Sequence, residues 1–142
     1  MNKIHLDTDL GGDIDDLGAL AMVLRWSGDL RLSGITTVGE INGKRAGYAR
    51  YVLGLEGRDD VPVAAGADVC QGFYRYRLGL LPEERYWPGP VPPSPNAWQE
   101  AVHLLKRSIE EGATIAAIGP STNLYLLDRQ HPGILAQARL FL

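Results

Sequence analysis

The strongest constraint in this sequence is a strand that turns through two glycines and a group of aspartates into a helix. Residues 3–7 have the composition of a short strand, and Gly11 and Gly12 follow it closely. Residues 15–26 carry apolar side chains at helical spacing, with Leu17 and Leu24 on the same face. A strand that leads so directly into a helix is typical of chains that build a parallel sheet.

The alternation of strands and helices continues along the chain. The segment 66–95 interrupts it with prolines and aromatic residues and no clear period, so we predict a long irregular loop that acts as a lid. We predict one α/β domain over residues 1–142, with a mostly parallel, Rossmann-like open sheet and helices on both faces. The further predicted strands are 30–38, 61–65, 114–118 and 137–142, and the further helices are 42–55, capped by Asn42, 96–111 and 121–128.

Composition excludes several classes of protein. With 14 Lys and Arg against 17 Asp and Glu, the formal charge is −3, which does not suit a general nucleic-acid binder. The single cysteine, Cys70, excludes an internal disulfide and a cysteine-based zinc cluster. The sequence has neither the roughly 18 apolar residues of a membrane span nor an apolar leader. We therefore expect a cytoplasmic protein with no nucleic-acid or membrane partner.

Five aspartates lie within the ten residues from Asp7 to Asp16, which we call the acidic loop. Their mutual repulsion requires a cation or raised pKa values, and oxygen ligands suit Ca²⁺ or Mg²⁺. Aspartates at a helix start also act as ordinary caps, which would account for Asp13, or for Asp15 and Asp16. That account does not cover Asp7 and Asp9 at the end of the strand, so the loop predicts a cation site.

Two alternatives remain open for such a loop. Phosphatases of the haloacid-dehalogenase type also begin with Asp-x-Asp after a first strand. They have Thr or Val two residues beyond the second aspartate, where this chain has Gly11. The other alternative is a non-catalytic module that holds a cation or a ribose without turnover, and that needs a partner or further chain to act.

The loop resembles the inosine-uridine-preferring nucleoside hydrolase family most closely. That family has a strand, then Asp-x-Asp-x-Gly, then a pair of aspartates that opens an apolar helix. Three later segments resemble the family in the same order: 34–39 (Gly-Ile-Thr-Thr-Val-Gly), 61–66 (Val-Pro-Val-Ala-Ala-Gly) and 118–124 (Ile-Gly-Pro-Ser-Thr-Asn-Leu).

The resemblance implies hydrolysis of the N-glycosidic bond of ribonucleosides to free base and ribose. It implies one bound Ca²⁺, with Mg²⁺ less suitable, and a role in purine or pyrimidine salvage. The substrate would be a small nucleoside, and the complete protein would form a homo-oligomer. The chain would correspond to the N-terminal half of the family, because the family's later ribose and metal ligands have no counterpart here.

The resemblance also assigns residues to the metal. Asp9 would be the general base that activates a calcium-bound water, and also a ligand. Asp15 and Asp16 would be further ligands, together with the backbone carbonyl of Ile118. Asp7 would support the metal shell or touch the ribose.

Three other positions complete the implied site. Asp13 lies in a loop that is longer than the family's, so it would either replace a ligand or cap the helix. Glu40 lies where the family has a polar residue that reaches a ribose hydroxyl. Asn123 is assigned to the substrate side, with capping of a helix and support of the metal loop as the alternative.

Overall fold

A computed structural model of the chain describes residues 1–26, 28–72 and 74–142. Its centre is a sheet of five strands that run parallel to one another. The strands are β1 (Asn2–Thr8), β2 (Leu30–Thr37), β3 (Val63–Ala65), β4 (Thr114–Ala117) and β5 (Arg139–Phe141). They lie in the order β3-β2-β1-β4-β5, so β1 is the central strand.

Helices cover both faces of the sheet, as the alternating pattern predicts. They are α1 (Asp15–Arg25), α2 (Lys44–Leu55), α3 (Glu83–Tyr86), α4 (Gln99–Glu110) and α5 (Thr122–Gln130), with a 3-10 helix at Ile134–Gln137. Helices α1 and α2 pack with Leu6 and Ile35 on one face, and α4 and α5 pack with Ile115 on the other. No helix in the described ranges is long and apolar enough to cross a membrane.

The strand order reverses beside β1, which is where open parallel sheets form a ligand-binding crevice. The chain builds β2 and β3 on one side of β1 and then crosses to β4 on the other side. In open parallel sheets, ligands bind beyond the carboxyl ends of the strands at this point of reversal. The acidic loop follows β1 directly, and the turn at Ile118 and Gly119 follows β4, so both lie at this crevice.

Several predicted boundaries differ from the structure for local reasons. The prediction that Asn42 caps the second helix is wrong, because Asn42 has a left-handed backbone (φ 51°) and α2 begins at Lys44. The helix predicted from residue 96 begins at Gln99, since the Asn96 side chain bonds the backbone N–H and C=O of Ala65 instead. The predicted strand 137–142 is shorter, because its first residue belongs to the 3-10 helix.

The segment 66–95 is not wholly irregular. It contains the helical turn α3, which follows Pro82 and has Glu83 in its first turn, where acidic residues favour a helix start. The Trp87 ring stacks on Tyr48 of α2 with 4.3 Å between ring centroids. The Leu81 N–H donates to the carbonyl of Gly11 at 2.9 Å. The segment is therefore fastened to both α2 and the acidic loop.

Candidate active site

Asp7 is the buried anchor of the site. Its Oδ1 accepts hydrogen bonds from the Thr36 hydroxyl at 2.5 Å and from Asn123 Nδ2 at 2.8 Å. Its Oδ2 is buried and has no hydrogen-bond partner among the described residues. Burial raises the pKa of Asp7 to about 6. A buried carboxylate oxygen without a partner is costly, so Asp7 Oδ2 is suited to accept a bond from a ligand.

Asp16 lies at the start of α1 and is tied back to the end of β1. The Thr8 hydroxyl donates to Asp16 Oδ1, and the Leu10 N–H donates to the same hydroxyl at 3.2 Å. Burial raises the pKa of Asp16 above its ordinary value. Thr8 therefore holds one oxygen of Asp16 in place and closes the acidic loop over the strand end.

Asp13, Asp15 and Asp16 bring one carboxylate oxygen each within 4.8 Å of one another. A hydrogen bond between the carboxyl groups of Asp13 and Asp15 raises the pKa of Asp13 to about 6 and lowers that of Asp15. Carboxylates this close repel each other, and a bound cation would relieve that repulsion. The donor set is entirely oxygen, which fits a hard cation such as Ca²⁺.

Asp9 lies outside this trio, between two glycine turns. A methyl group at Gly12 would lie 3.5 Å from Asp9 Oδ2, and one at Gly119 would lie 2.6 Å from Asp9 Oδ1. The Gly119 turn is held to β1 by a hydrogen bond from the Ile118 N–H to the Asp7 carbonyl at 2.9 Å. Burial raises the pKa of Asp9, and the charge of Arg45 opposes that rise. Asp9 is partly exposed, so a ligand can reach it.

Arg45 is fully buried and joins the acidic loop to two neighbouring loops. Its guanidinium donates to the carbonyl of Gly39 at 2.9 Å, of Leu10 at 3.1 Å and of Gly79 at 2.6 Å, and also to the Asp9 carbonyl. Burial lowers the pKa of Arg45, while the negative charge of Asp9 raises it. The sequence gives no signal for this role, since an arginine in the first turn of a helix usually faces solvent.

Glu40 is buried, and both of its carboxylate oxygens are hydrogen-bonded at the start of α2. It accepts from the Ala46 N–H at 2.8 Å, the Ile41 N–H at 3.1 Å and the Arg45 N–H at 3.3 Å, and from the Thr37 hydroxyl. Glu40 therefore performs the capping that the sequence assigns to Asn42. Its contact with a substrate hydroxyl stays a prediction.

Asn123 is buried at the start of α5 and connects three parts of the site. Its Nδ2 donates to Asp7 Oδ1 and, at 2.9 Å, to the Thr37 carbonyl, and its Oδ1 accepts from the Ala67 N–H at 3.0 Å. These bonds give Asn123 a supporting position next to Asp7. A direct bond from Asn123 to a substrate stays a prediction.

The chain is therefore an α/β protein with a cluster of carboxylates at the point where the strand order of its sheet reverses. A family model described as inosine-uridine preferring nucleoside hydrolase matches residues 4–141. The chain belongs to this family. A comparison with curated protein sequences gave no match.

Solved structures that share the fold include nucleoside hydrolases. A plant enzyme matches with a TM-score of 0.69 and 23% identity, over 98% of this chain and 45% of its own. An inosine-uridine preferring enzyme from Bacillus anthracis matches with 0.68 and 20%, over 99% and 49%. A purine-preferring enzyme from Gardnerella vaginalis matches with 0.65 and 22%, over 98% and 46%. The chain thus spans about half the length of these relatives, and the likeness establishes the fold.

Proposed function

We propose that the crevice at the end of β1 hydrolyses the N-glycosidic bond of ribonucleosides to free base and ribose. The observation that carries the proposal is the placement of Asp9. Its carboxylate is partly exposed at the reversal point of the sheet, beside a cluster of carboxylates, in a chain of the nucleoside hydrolase family. Because the chain belongs to this family, we no longer propose the phosphatase alternative.

Asp9 is the proposed general base. Water must lose a proton as its oxygen bonds to the sugar carbon, and Asp9 is the group that takes this proton. The bond between that carbon and the base nitrogen breaks, and its electron pair leaves with the nucleobase. The nucleobase takes up a proton from solvent, and Asp9 later returns its own proton to solvent. Burial raises the pKa of Asp9, which makes its carboxylate a better proton acceptor. The neighbouring carboxylates favour the positive charge that develops on the sugar.

The residues that would hold Ca²⁺ are Asp9, Asp15 and Asp16 with the Ile118 carbonyl. Asp7 would support them. Asp13 lies beside Asp15 and is either a further ligand or a helix cap. When bound, the ion supplies positive charge that orients sugar hydroxyls and water in the crevice. We favour Ca²⁺ over Mg²⁺ because a flexible set of carboxylates and a carbonyl suits the larger ion.

Other parts of the proposal concern the surroundings of the site. The segment 66–95 borders the acidic loop through Leu81 and Gly11, and we propose that it acts as a lid over the bound nucleoside. The substrate contacts of Glu40 and Asn123, assembly into a homo-oligomer, a role in nucleoside salvage and a cytoplasmic location stay predictions.

A release assay tests the proposed activity. The chain is incubated with inosine, uridine or guanosine and Ca²⁺, and the free base is separated and quantified. Asp9→Asn should lower the rate by about 10²- to 10⁴-fold, the usual contribution of a general base. Asp59→Asn, at an exposed turn before β3, is the matched control and should keep the full rate. Equal rates for Asp9→Asn and the parent chain would refute the role of Asp9.

The second candidate is a non-catalytic portion that binds a cation or ribose. The observation that favours it is that the chain covers only 45–49% of its solved relatives. Calorimetric titration with CaCl₂ and with ribose separates the two candidates. Binding without release of base from any nucleoside supports the second candidate, and release of base supports the first.

A further inference from the structure

A chain of buried polar side chains runs from α4 through the sheet to Asp7. Ser108 Oγ lies 2.8 Å from His5 Nδ1, and His5 Nε2 lies 3.0 Å from Thr36 Oγ1. Thr36 Oγ1 in turn lies 2.5 Å from Asp7 Oδ1. His5, Thr36 and Asp7 are fully buried, and Ser108 is 3% exposed. The proposed mechanism uses only the last member of this chain.

The number of available protons fixes the direction of these bonds. The Thr36 hydroxyl has one hydrogen and gives it to Asp7 Oδ1, so it must accept from His5 Nε2–H. A buried neutral imidazole carries one proton, which leaves His5 Nδ1 as an acceptor, and the Ser108 hydroxyl must donate to it. The direction stays the same when Asp7 binds a proton on Oδ2.

The sheet is shaped around the His5 ring. The pairing of β1 with β2 shifts register between Ile4 and His5, and His5 lies opposite Gly34. A methyl group at Gly34 would lie 2.9 Å from His5 Nδ1, so a larger residue there would meet the ring. A small apolar residue at position 5 would need neither the glycine at position 34 nor the hydroxyl of Ser108. These features indicate that the ring has a task beyond filling the core.

We propose that Ser108, His5 and Thr36 are positioning residues that hold Asp7 by Oδ1 and leave Oδ2 free for the ligand of the site. Two bonds to Oδ1, from Thr36 and Asn123, fix the plane of the carboxylate, and Oδ2 keeps no partner among the described residues. The use of this arrangement in binding rests on the proposed function. The arrangement itself can be measured in the metal-free chain.

The first test measures the tautomer of His5. The chain has three histidines, so ¹⁵N spectra of histidine-labelled protein can be assigned by the loss of one signal set in His5→Gln. At about neutral pH, where a buried imidazole stays uncharged, we expect the tautomer with the proton on Nε2. A proton on Nδ1, or a charged ring, would overturn the proposal.

The second test asks whether Ser108 affects Asp7 from three hydrogen bonds away. The ¹³C signal of the Asp7 carboxyl, assigned with Asp7→Asn, should move in Ser108→Ala. The matched control is Ser33→Ala, which removes a hydroxyl that donates to the Ile4 carbonyl at 2.9 Å in the same sheet. Ser108→Thr, which keeps the hydroxyl, should restore the parent signal. An unchanged signal in Ser108→Ala, or an equal change in Ser33→Ala, contradicts the proposal.

Calcium titration then separates this proposal from the proposed function. Direct partners of metal ligands typically change affinity by about 10- to 100-fold. Ser108 lies three hydrogen bonds from Asp7, so Ser108→Ala should weaken Ca²⁺ binding by less than about 10-fold, and Ser33→Ala should leave it unchanged. Equal affinity in both variants would overturn the positioning role. Should the parent chain bind no Ca²⁺ while both NMR tests succeed, the proposed metal site fails and the positioning of Asp7 stands.

Discussion

Arg45→Met removes the residue that joins the acidic loop to its two neighbours. Methionine has a similar length and no hydrogen-bond donors, so the change tests the guanidinium and largely keeps the volume. In the parent chain Arg45 donates to carbonyls of Asp9, Leu10, Gly39 and Gly79. These carbonyls belong to the acidic loop, to the β2–α2 turn and to the segment 66–95.

The expected loss of stability follows from these four acceptors. A hydrogen bond to a charged group contributes about 1.5–3 kcal/mol, and some of the released carbonyls will reach water. We therefore expect a loss of about 3–5 kcal/mol for the four acceptors together. Arg45→Lys keeps the charge but offers three donors in place of five, so its loss should be intermediate.

Urea unfolding of the chain measures the loss, with Arg25→Met as the matched control. Arg25 forms an exposed salt bridge with Glu56 at 2.8 Å, and such bridges contribute about 0–1 kcal/mol. Amide hydrogen exchange in Arg45→Met should also rise together at Leu10, Gly11 and Leu81. If Arg45→Met costs no more than Arg25→Met, the reasoning from the four carbonyls is wrong.

Four further perturbations test the buried groups and the proposed cation site. The pKa of His5 falls from 6.5 to about 3 on folding, so below pH 6.5 the unfolded chain binds a proton that the folded chain does not. Acidification in this range therefore costs about 1.4 kcal/mol of stability per pH unit. His5→Gln should lose this slope in urea titrations at stepped pH. Burial raises the pKa of Asp7 from 3.8 to about 6, so the folded chain binds the extra proton and acidification stabilises the fold through Asp7. Asp7→Asn removes this contribution and should make acid destabilisation steeper below pH 6. Gly66→Ala should cost about 1–3 kcal/mol in the same assay, since its methyl group would lie 2.4 Å from Asn123 Oδ1. Ca²⁺ at about 100 times its Kd should add about 2.7 kcal/mol to the stability, read as a rise in Tm, and Asp16→Ala should abolish that rise.

The fold was accessible from sequence because its signals are local. Apolar periodicity distinguishes the helices from the strands, and glycines mark where β1 and β4 end. The position of the site follows from the same pattern, since the carboxyl ends of parallel strands meet at one edge. The five aspartates from Asp7 to Asp16 lie where the first predicted strand leads into the first predicted helix, so sequence order alone predicts that they gather at this edge.

The supporting roles of Arg45, His5 and Ser108 could not be predicted because their partners are remote in sequence. Arg45 contacts residues 34 to 36 positions away, and His5 contacts Ser108 across 103 positions. An arginine in a helix and a polar residue in a strand are common in other surroundings. A local rule likewise assigns the cap of α2 to Asn42, because it does not reveal that Glu40 reaches the N–H groups at the start of this helix.

These supporting residues share a property that bears on cation binding. Arg45 brings a positive charge to the acidic loop but donates only to backbone carbonyls, so it occupies no carboxylate oxygen. Thr8 bonds one oxygen of Asp16, and Thr36 and Asn123 bond the same oxygen of Asp7. The loop is therefore held in shape while carboxylate oxygens stay available. A scaffold that only needed to neutralise its aspartates would pair Arg45 with a carboxylate, whereas the geometry here leaves carboxylate oxygens open for the cation that we propose.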